Sequence, residues 1–211
     1  MTPSIMPLGD RGLLVRFGDT LTDEANLSAI RFAELADAAG LPGVLEIVPN
    51  LISVLLRYDT SATGFDQLAG EVRLLVSRPG EAPGAAREHI VEAAFDGEDL
   101  AEVAETLHLA PDAFVAAHND VPLRVLATGF APGFLYCGMH DAVLVVPRRQ
   151  TVRRQVPAGT ILFAAGQTAI ASTAIPTGWH VIGRTGFRNF DPAAEPPVVL
   201  KSGDYIRFVS V

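Results

Sequence analysis

Four arginines within seven residues are the strongest sign of chemistry in this sequence. The segment PRRQTVRRQVPAG contains Arg148, Arg149, Arg153 and Arg154, although the chain carries a formal net charge of −8. Guanidinium groups bind carboxylates and phosphates through paired hydrogen bonds, so one interpretation is an anion pocket. The other is a solvated strand face whose arginines pair with surface acids. In an extended segment, residues 149 and 153 share one face and 148 and 154 the other, so at most two can serve one pocket.

The segment TGFAPGFLYCG, residues 128–138, combines glycines, aromatic residues and the single cysteine. It is neither a Walker A loop, because Phe134 follows Gly133, nor a GxGxxG dinucleotide motif. Pro132 and Gly133 predict a type II turn. The turn either serves the fold alone or lines a pocket, since its aromatic neighbours are costly to expose. Cys137 has no CxxC partner, which favours a buried, unreactive thiol.

Other polar residues that could take part in a site are scattered along the chain. His118, at the end of a predicted helix, is either a proton-transfer group or a cation at the helix C-terminus. Gln167 and Thr168 either orient a small ligand or pair with backbone groups. Trp179, with Arg184 five residues on, is typical of a core or interface anchor. No GxSxG, HExxH or Cys/His spacing occurs, so no metal site is predicted.

Composition limits the classes of function. The acidic balance argues against non-specific binding to nucleic acid or to anionic membranes. One cysteine cannot form an internal disulfide, which suits a reducing compartment. The N-terminus lacks a signal-peptide pattern, and no apolar run reaches the ~20 residues of a membrane helix. We therefore expect a soluble, cytoplasmic protein.

The pattern of apolar residues predicts two domains, residues 1–80 and 85–211. The first alternates strands near 13–17, 44–48 and 52–58 with helices over 20–43 and 65–76, a two-layer α/β unit of ferredoxin-like order. The segment SRPGEAPGAA, residues 77–86, predicts a linker, and the strand after it is assigned to the second domain. That domain begins with two helices, near 100–107 and 111–118. Short apolar runs then predict many strands, AVLVVP (142–147) among them, in a closed barrel or sandwich.

Several of these segments together resemble the KipI-like family, which includes allophanate hydrolase subunit 1 and the B subunit of 5-oxoprolinase. The resemblance rests on PLGDRGLLVRFGD, GFAPGFLYCG, PRRQTVRRQVPAGTI, AGQTAIAST, TGWHVIGRT and KSGDYIRFV, in the family's order and over nearly the whole chain. The chain departs from the family pattern at AIAS (169–172), where the family has GIYP, and at Val152, where it has proline.

This resemblance implies an α+β chain with an N-terminal ferredoxin-like domain and a C-terminal cyclophilin-like β-barrel. It implies the B subunit of an ATP-dependent 5-oxoprolinase, a hydrolase opening 5-oxoproline to glutamate with a C-type barrel partner, similar to allophanate hydrolase subunit 2, and a third subunit. ATP would be bound with or by the partner. The motifs carry over two residues as catalytic, His118 and Arg153. They carry over as substrate-binding Phe130, Pro132, Gly133, Phe134, Arg148, Gln167, Thr168, Trp179 and Arg184, with Gly129 in the same motif.

Two alternatives stay open within the same family. One is a KipI-like protein inhibitor of a sensor histidine kinase, acting through a protein surface without chemistry of its own. The other is the small half of a biotin-dependent urea or amide carboxyltransferase. Prolyl isomerase activity would rest on fold analogy alone.

Overall fold

The computed structural model describes residues 3–78 and 86–211. The chain divides into two compact units, residues 1–85 and 86–211, which are described separately below. Most of the linker predicted at 77–86, residues 79–85, lies outside the described ranges. Within those ranges no helix is both long enough and apolar enough to cross a membrane.

The first unit is a four-stranded antiparallel sheet with two helices packed on one face. In chain order its elements are β1 (Ser4–Leu8), β2 (Gly12–Arg16), α1 (Asp23–Ala39), β3 (Val44–Pro49), β4 (Ser53–Tyr58) and α2 (Phe65–Ser77). The strand order is β1-β2-β4-β3. Alternate residues of β2 and β4, such as Leu13 and Leu56, pack against Phe32 of α1 and Val72 of α2. The predicted strands and helices of this unit are confirmed.

The ends of α1 follow the predicted signals. The Thr22 side chain accepts a hydrogen bond from the Ala25 N–H at 3.2 Å and so caps the first turn. Gly40 ends the helix in the left-handed conformation, at φ 55°. The additional strand β1 was not predicted. It lies at the edge of the sheet, is largely exposed and contains Pro7, so it carries no buried period-2 pattern.

The second unit contains a seven-stranded sheet, a two-stranded sheet and two helices. Its elements are β5 (Glu88–Ala93), α3 (Leu100–Thr106), α4 (Pro111–Asn119), β6 (Leu123–Thr128), β7 (Leu135–Gly138), β8 (Arg153–Val156), β9 (Thr160–Ala164), β10 (Gln167–Ile170), β11 (Ile175–Thr177), β12 (His180–Arg184) and β13 (Tyr205–Ser210). The large sheet has the order β12-β9-β10-β7-β6-β13-β5, and β8 pairs with β11. All pairings are antiparallel except that of β13 with β5.

The two edges of the seven-stranded sheet meet. Ala94, directly after β5, exchanges two backbone hydrogen bonds of 2.9 Å with Arg184 at the end of β12. The sheet is therefore curled, and the edges that would otherwise stay unpaired are joined at this point.

Each face of the curled sheet has its own apolar core. On the inner face, Ile161 and Phe163 of β9 pack with Phe114 of α4 and with residues of α3. On the outer face, Leu162 and Ala164 pack with residues of β8 and β11. Alternate residues of β9 thus serve opposite cores, as the pleat of a strand requires.

The strand predicted at AVLVVP is absent. Leu144 and Val146 are buried while Val143 and Val145 are exposed, so the segment does alternate. The Val146 carbonyl accepts one backbone hydrogen bond, from the Ala165 N–H, but the segment forms no ladder with a neighbouring strand of the described chain. Half-burial of an extended loop therefore produced the period-2 pattern, and the strand prediction was wrong.

Candidate functional site

An aromatic row with an arginine at one end lies on the outer side of the second unit. The row consists of Phe130, Phe134, Tyr136 and Trp179, with centroid distances of 5.5, 4.8 and 6.0 Å between successive rings. The Arg148 guanidinium carbon lies 5.6 Å from the centroid of the Trp179 ring, which is cation–π geometry. Among the described residues, no carboxylate pairs with Arg148. It is an exposed cation available to an anionic group.

Gln167 shares the outer face with this row. It begins β10, and Ala169, two residues on, pairs with Tyr136 of β7, so Gln167 and Tyr136 project to the same side. The Gln167 Oε1 atom is shielded from solvent and has no hydrogen-bond partner within the described ranges. A buried amide oxygen without a donor is unusual in a folded protein, and a ligand N–H group would satisfy it.

Burial also sets the ionisation of the Tyr136 hydroxyl. Partial burial raises the pKa of Tyr136, and the nearby Arg148 charge opposes this shift. The phenol therefore stays protonated at neutral pH and can donate a hydrogen bond to a ligand oxygen. The motif that contains Tyr136 was recognised in the sequence, but Tyr136 itself was not assigned to the site.

The predicted turn at APGF is present. The Phe134 N–H donates to the Ala131 carbonyl at 3.0 Å, and Gly133 has φ 70°, as the third residue of a type II turn requires. The Ser172 hydroxyl donates to the Gly133 carbonyl at 2.6 Å and fixes the turn. Phe130 has φ 75° and 69% exposure, a strained backbone for an exposed aromatic residue.

Both interpretations of this turn hold together, because the turn also lines a pocket. The pocket has a volume of about 490 Å³, and Thr128 precedes the turn at its rim. Its remaining walls are Gly129, Phe130, Ala131, Pro132, Gly133, Asn189, Phe190 and Val198. These groups are mainly apolar, so the pocket suits an apolar group rather than a phosphate.

Two of the four clustered arginines converge on one carboxylate. Arg149 Nη1 lies 2.5 Å from Asp99 Oδ1, and Arg153 Nη2 lies 2.8 Å from the same oxygen. Arg153 Nε also donates to Glu98 at 2.7 Å. The other Asp99 oxygen accepts the Val181 N–H at 2.7 Å. The predicted sharing of one side by residues 149 and 153 is confirmed, and both guanidinium groups already have internal carboxylate partners.

Asp99, Glu102 and His180 form a group that offers three possible metal ligands. One ligand atom from each lies within 4.8 Å of the others. However, Arg149 Nη1 contacts Asp99 and lies 3.6 Å from Glu102 Oε2, so a guanidinium already occupies the position of a cation. The His180 Nε2 atom donates to the Pro147 carbonyl at 3.0 Å, and its Nδ1 atom has no partner among the described residues. A metal ion would bind here only by displacing Arg149.

On the inner face, two histidines share one hydroxyl. His118 Nε2 and His140 Nε2 each lie 2.8 Å from Thr168 Oγ1, and His118 Nδ1 lies 2.7 Å from Asn119 Oδ1. Because the amide oxygen only accepts, His118 Nδ1 carries the proton and Nε2 accepts from Thr168. The hydroxyl in turn accepts from His140. The network is fully satisfied with both imidazoles neutral.

The surroundings of these histidines keep them neutral. His118 has no exposed surface and lies among phenylalanine rings, and burial lowers its pKa to about 4 although the Asn119 hydrogen bond opposes this. Burial, together with the nearby His118, lowers the pKa of His140 to about 3. The interpretation of His118 as a cation at a helix C-terminus is therefore wrong at neutral pH.

Arg184 lies apart from these groups on the solvent side of β12. Its side chain is 72% exposed and its Nη2 atom lies 2.7 Å from Asp96 Oδ2. Its backbone forms the link between the sheet edges described above. Arg184 is therefore engaged in an exposed ion pair at the point where the sheet closes.

Cys137 occupies the interior, as predicted. Its side chain is fully buried on the inner face, and burial raises the pKa of the thiol. The thiolate, which is the reactive form, is therefore strongly disfavoured.

The predicted site residues thus fall into separate groups. The aromatic row, Arg148 and Gln167 share the outer side, whereas His118 and Thr168 lie on the inner face and Arg153 is paired with acids. Gln167 and Thr168 are adjacent in β10 and project to opposite faces, so one ligand cannot contact both side chains directly. Sequence reasoning missed Asp99 and His140, which come to the site from distant segments and carry no local motif.

Comparison with known proteins identifies the family. A model of the carboxyltransferase domain, subdomain C and D, matches residues 3–200. The B subunit of 5-oxoprolinase from Bacillus subtilis (strain 168) is 28% identical over 221 residues, covering 98% of this chain and 92% of the relative. The B subunit of 5-oxoprolinase from Escherichia coli O157:H7 is 35% identical over 173 residues, covering 80% and 79%.

Solved structures agree with this assignment. The structure of TTHA0988 in space group P212121 matches with a TM-score of 0.85 at 36% identity, over 95% of this chain and 40% of that chain. The chain therefore spans well under half of TTHA0988. The Kluyveromyces lactis urea carboxylase matches with a TM-score of 0.80 at 15% identity, over 99% of this chain and 22% of that chain, and supports the fold alone. The family predicted from the sequence motifs is confirmed, and the chain belongs to the carboxyltransferase-domain family, subdomain C and D.

Proposed function

We propose that this chain is the B subunit of a hetero-oligomeric, ATP-dependent 5-oxoprolinase-type amidohydrolase. Its relatives in two bacteria bear that name over most of their length. The complex opens the lactam ring of 5-oxoproline with water and releases glutamate, and its partner is a C-type barrel protein similar to allophanate hydrolase subunit 2. A third subunit completes the enzyme, which works in the cytoplasm.

The fold we propose is a ferredoxin-like first unit and a cyclophilin-like barrel in the second. Support for the first comes from the antiparallel order β1-β2-β4-β3 with both helices on one face. Support for the second comes from the curled seven-stranded sheet whose edges are joined by Ala94 and Arg184.

The observation that carries the functional proposal is Arg148 above Trp179, a cation with no carboxylate partner in the described ranges. The substrate is a small ring with one carboxylate, one lactam N–H and one lactam carbonyl. Arg148 binds the carboxylate, and the rings of Trp179 and Phe134 pack against the methylene groups. Arg153 is less suited to this role, because its guanidinium already binds Glu98 and Asp99.

Two polar groups on the same side complement the lactam. Gln167 Oε1, which lacks a donor among the described residues, accepts the lactam N–H, and the protonated Tyr136 hydroxyl donates to the carbonyl oxygen. Donation to that oxygen favours the charge that develops there as water adds to the carbonyl carbon. His118 and Thr168 stabilise β10 from its opposite face and do not contact the substrate.

ATP is bound with or by the partner. Each of the four helices among the described residues has an acidic residue in its first turn, namely Asp23, Asp66, Glu102 and Asp112. An acidic first turn repels phosphate from the helix N-terminus, where many nucleotide sites hold it. The described residues therefore do not fit a phosphate site of that kind, and we derive no step through ATP in this chain.

The test is reconstitution of the complex. The chain is co-expressed with its C-type barrel partner and the third subunit, and ATP-dependent release of glutamate from 5-oxoproline is measured. Replacing Arg148 with Met, which keeps the stem packed on Trp179, should raise KM for 5-oxoproline at least about tenfold, because a charged hydrogen-bonded pair is lost.

The matched control is Arg207→Gln. Arg207 is an exposed arginine that pairs with Glu88 at 2.7 Å, so its loss should leave KM and kcat unchanged. Absence of glutamate release from a complete, wild-type complex would refute the proposed reaction. An unchanged KM in the Arg148→Met enzyme would refute the assigned carboxylate site.

A further inference from the structure

We propose that Asp99 is a positioning residue that holds Arg148 over Trp179. It acts by anchoring the neighbouring Arg149, and none of the sequence motifs includes it. The role in substrate binding rests on the function proposed above, whereas the positioning of Arg148 does not.

Asp99 is itself fixed to β12. Its side chain is 5% exposed, and its Oδ2 atom accepts the Val181 N–H at 2.7 Å. Its own N–H donates to the Val181 carbonyl at 3.0 Å. Two hydrogen bonds to one residue of a strand leave the carboxylate little freedom, so it can serve as a fixed anchor.

The segment that carries Arg148 is held on both sides. The Arg149 N–H donates to the Gly178 carbonyl at 2.8 Å, and the His180 Nε2–H donates to the Pro147 carbonyl at 3.0 Å. Residues 147–149 therefore run beside residues 178–180, with residue 148 opposite residue 179. This arrangement accounts for the cation–π contact between their side chains.

Side-chain direction completes the argument. In an extended segment, consecutive side chains point to opposite sides. Because Arg149 is drawn towards Asp99, at 2.5 Å, Arg148 is directed to the other side, where Trp179 lies. Loss of the carboxylate would leave the partly buried guanidinium groups of Arg149 and Arg153 without their shared partner. Arg149 would then seek solvent and turn the segment with it.

The test uses the chain's sole tryptophan. Fluorescence emission of Trp179 is compared in the wild-type full chain, Arg148→Met, Asp99→Asn and the double variant. We expect Asp99→Asn to shift the emission in the same direction as Arg148→Met and by most of its extent. In the Arg148→Met background, Asp99→Asn should cause no further shift, because the reporting cation is already gone.

Controls separate positioning from general damage. Glu88→Gln removes another carboxylate that pairs with an arginine, Arg207, and should leave the emission as in the wild type. Arg149→Gln removes the anchored side chain without altering Asp99, so it decides the question if Asp99→Asn does not fold. Wild-type emission in a folded Asp99→Asn chain, or shifts that add in the double variant, would overturn the proposal.

The reconstituted enzyme provides a second readout. Asp99→Asn should raise KM for 5-oxoproline towards the value of Arg148→Met, about tenfold, with a smaller effect on kcat. The fluorescence result needs neither a partner nor turnover. An inactive wild-type complex would therefore refute the proposed function while the emission data still decide whether Asp99 positions Arg148.

Discussion

The shared hydroxyl of Thr168 makes the stability of the second unit depend on pH. His118 is neutral in the folded chain with a pKa of about 4, against an ordinary value of 6.5. The unfolded chain therefore binds more protons between these values, so stability is complete above pH 6.5 and is lost as the pH falls towards 4. For His118 alone, this linkage lowers the free energy of unfolding at pH 5 by about 2 kcal/mol relative to neutral pH. His140, whose pKa is lowered to about 3, acts in the same direction.

Urea unfolding followed by Trp179 fluorescence measures this effect, since the only tryptophan lies in the same unit as His118. Free energies are determined between pH 5 and 7.5, above the range in which carboxylates titrate. The partly buried His140 is then replaced by Gln, which removes one titrating group and should reduce the slope. The control is His108→Asn, an exposed histidine at φ 57° whose backbone conformation asparagine tolerates. A flat profile, or an unchanged slope in His140→Gln, would show that these imidazoles are not buried neutral groups.

Three single positions provide further tests. The thiol of Cys137 should react with a thiol reagent only after unfolding, as a colorimetric assay with and without urea would show, because burial raises its pKa. Gly133→Ala should cost about 2–4 kcal/mol by urea titration, since its φ is 70° and a Cβ would lie 2.5 Å from that of Phe190. Gly166→Ala, at φ 69° but with its nearest contact at 3.3 Å, should cost distinctly less; equal costs would contradict the clash. Thr22→Ala should destabilise the first unit by about 1 kcal/mol in far-UV circular dichroism, and no change would contradict the cap.

Local periodicity predicted the elements with one buried face. Leu13 and Val15 alternate with more exposed residues in β2, and Leu68 and Val72 follow helical spacing in α2, because in both cases a core lies on one side. Strand β1 escaped prediction because an exposed edge strand needs no apolar period. The reverse error occurred at 142–147, where an extended loop is buried on one side without pairing. Periodicity reports burial, and only the neighbouring chain decides whether hydrogen bonds follow.

The candidate site was predictable to the same extent. Strand geometry correctly grouped Arg149 with Arg153, and the same rule would have separated Gln167 from Thr168 had it been applied to them. The partner of the arginine pair, Asp99, precedes it by 50 residues and belongs to no motif. Contacts of this kind depend on how the sheet closes, which no local pattern in the sequence encodes.

The parallel pairing of β5 with β13 has a consequence for synthesis of the chain. The first strand of the second unit pairs with the last one, over six residue pairs from Glu88 to Ala93. β13 also separates β5 from β6, so the sheet lacks its connection until residues 205–210 have left the ribosome. The first unit contains all its strands by residue 58 and can fold while the remainder is being made. Premature termination even a few residues early would therefore leave a folded first unit attached to an open sheet with unpaired edges, a species prone to aggregation.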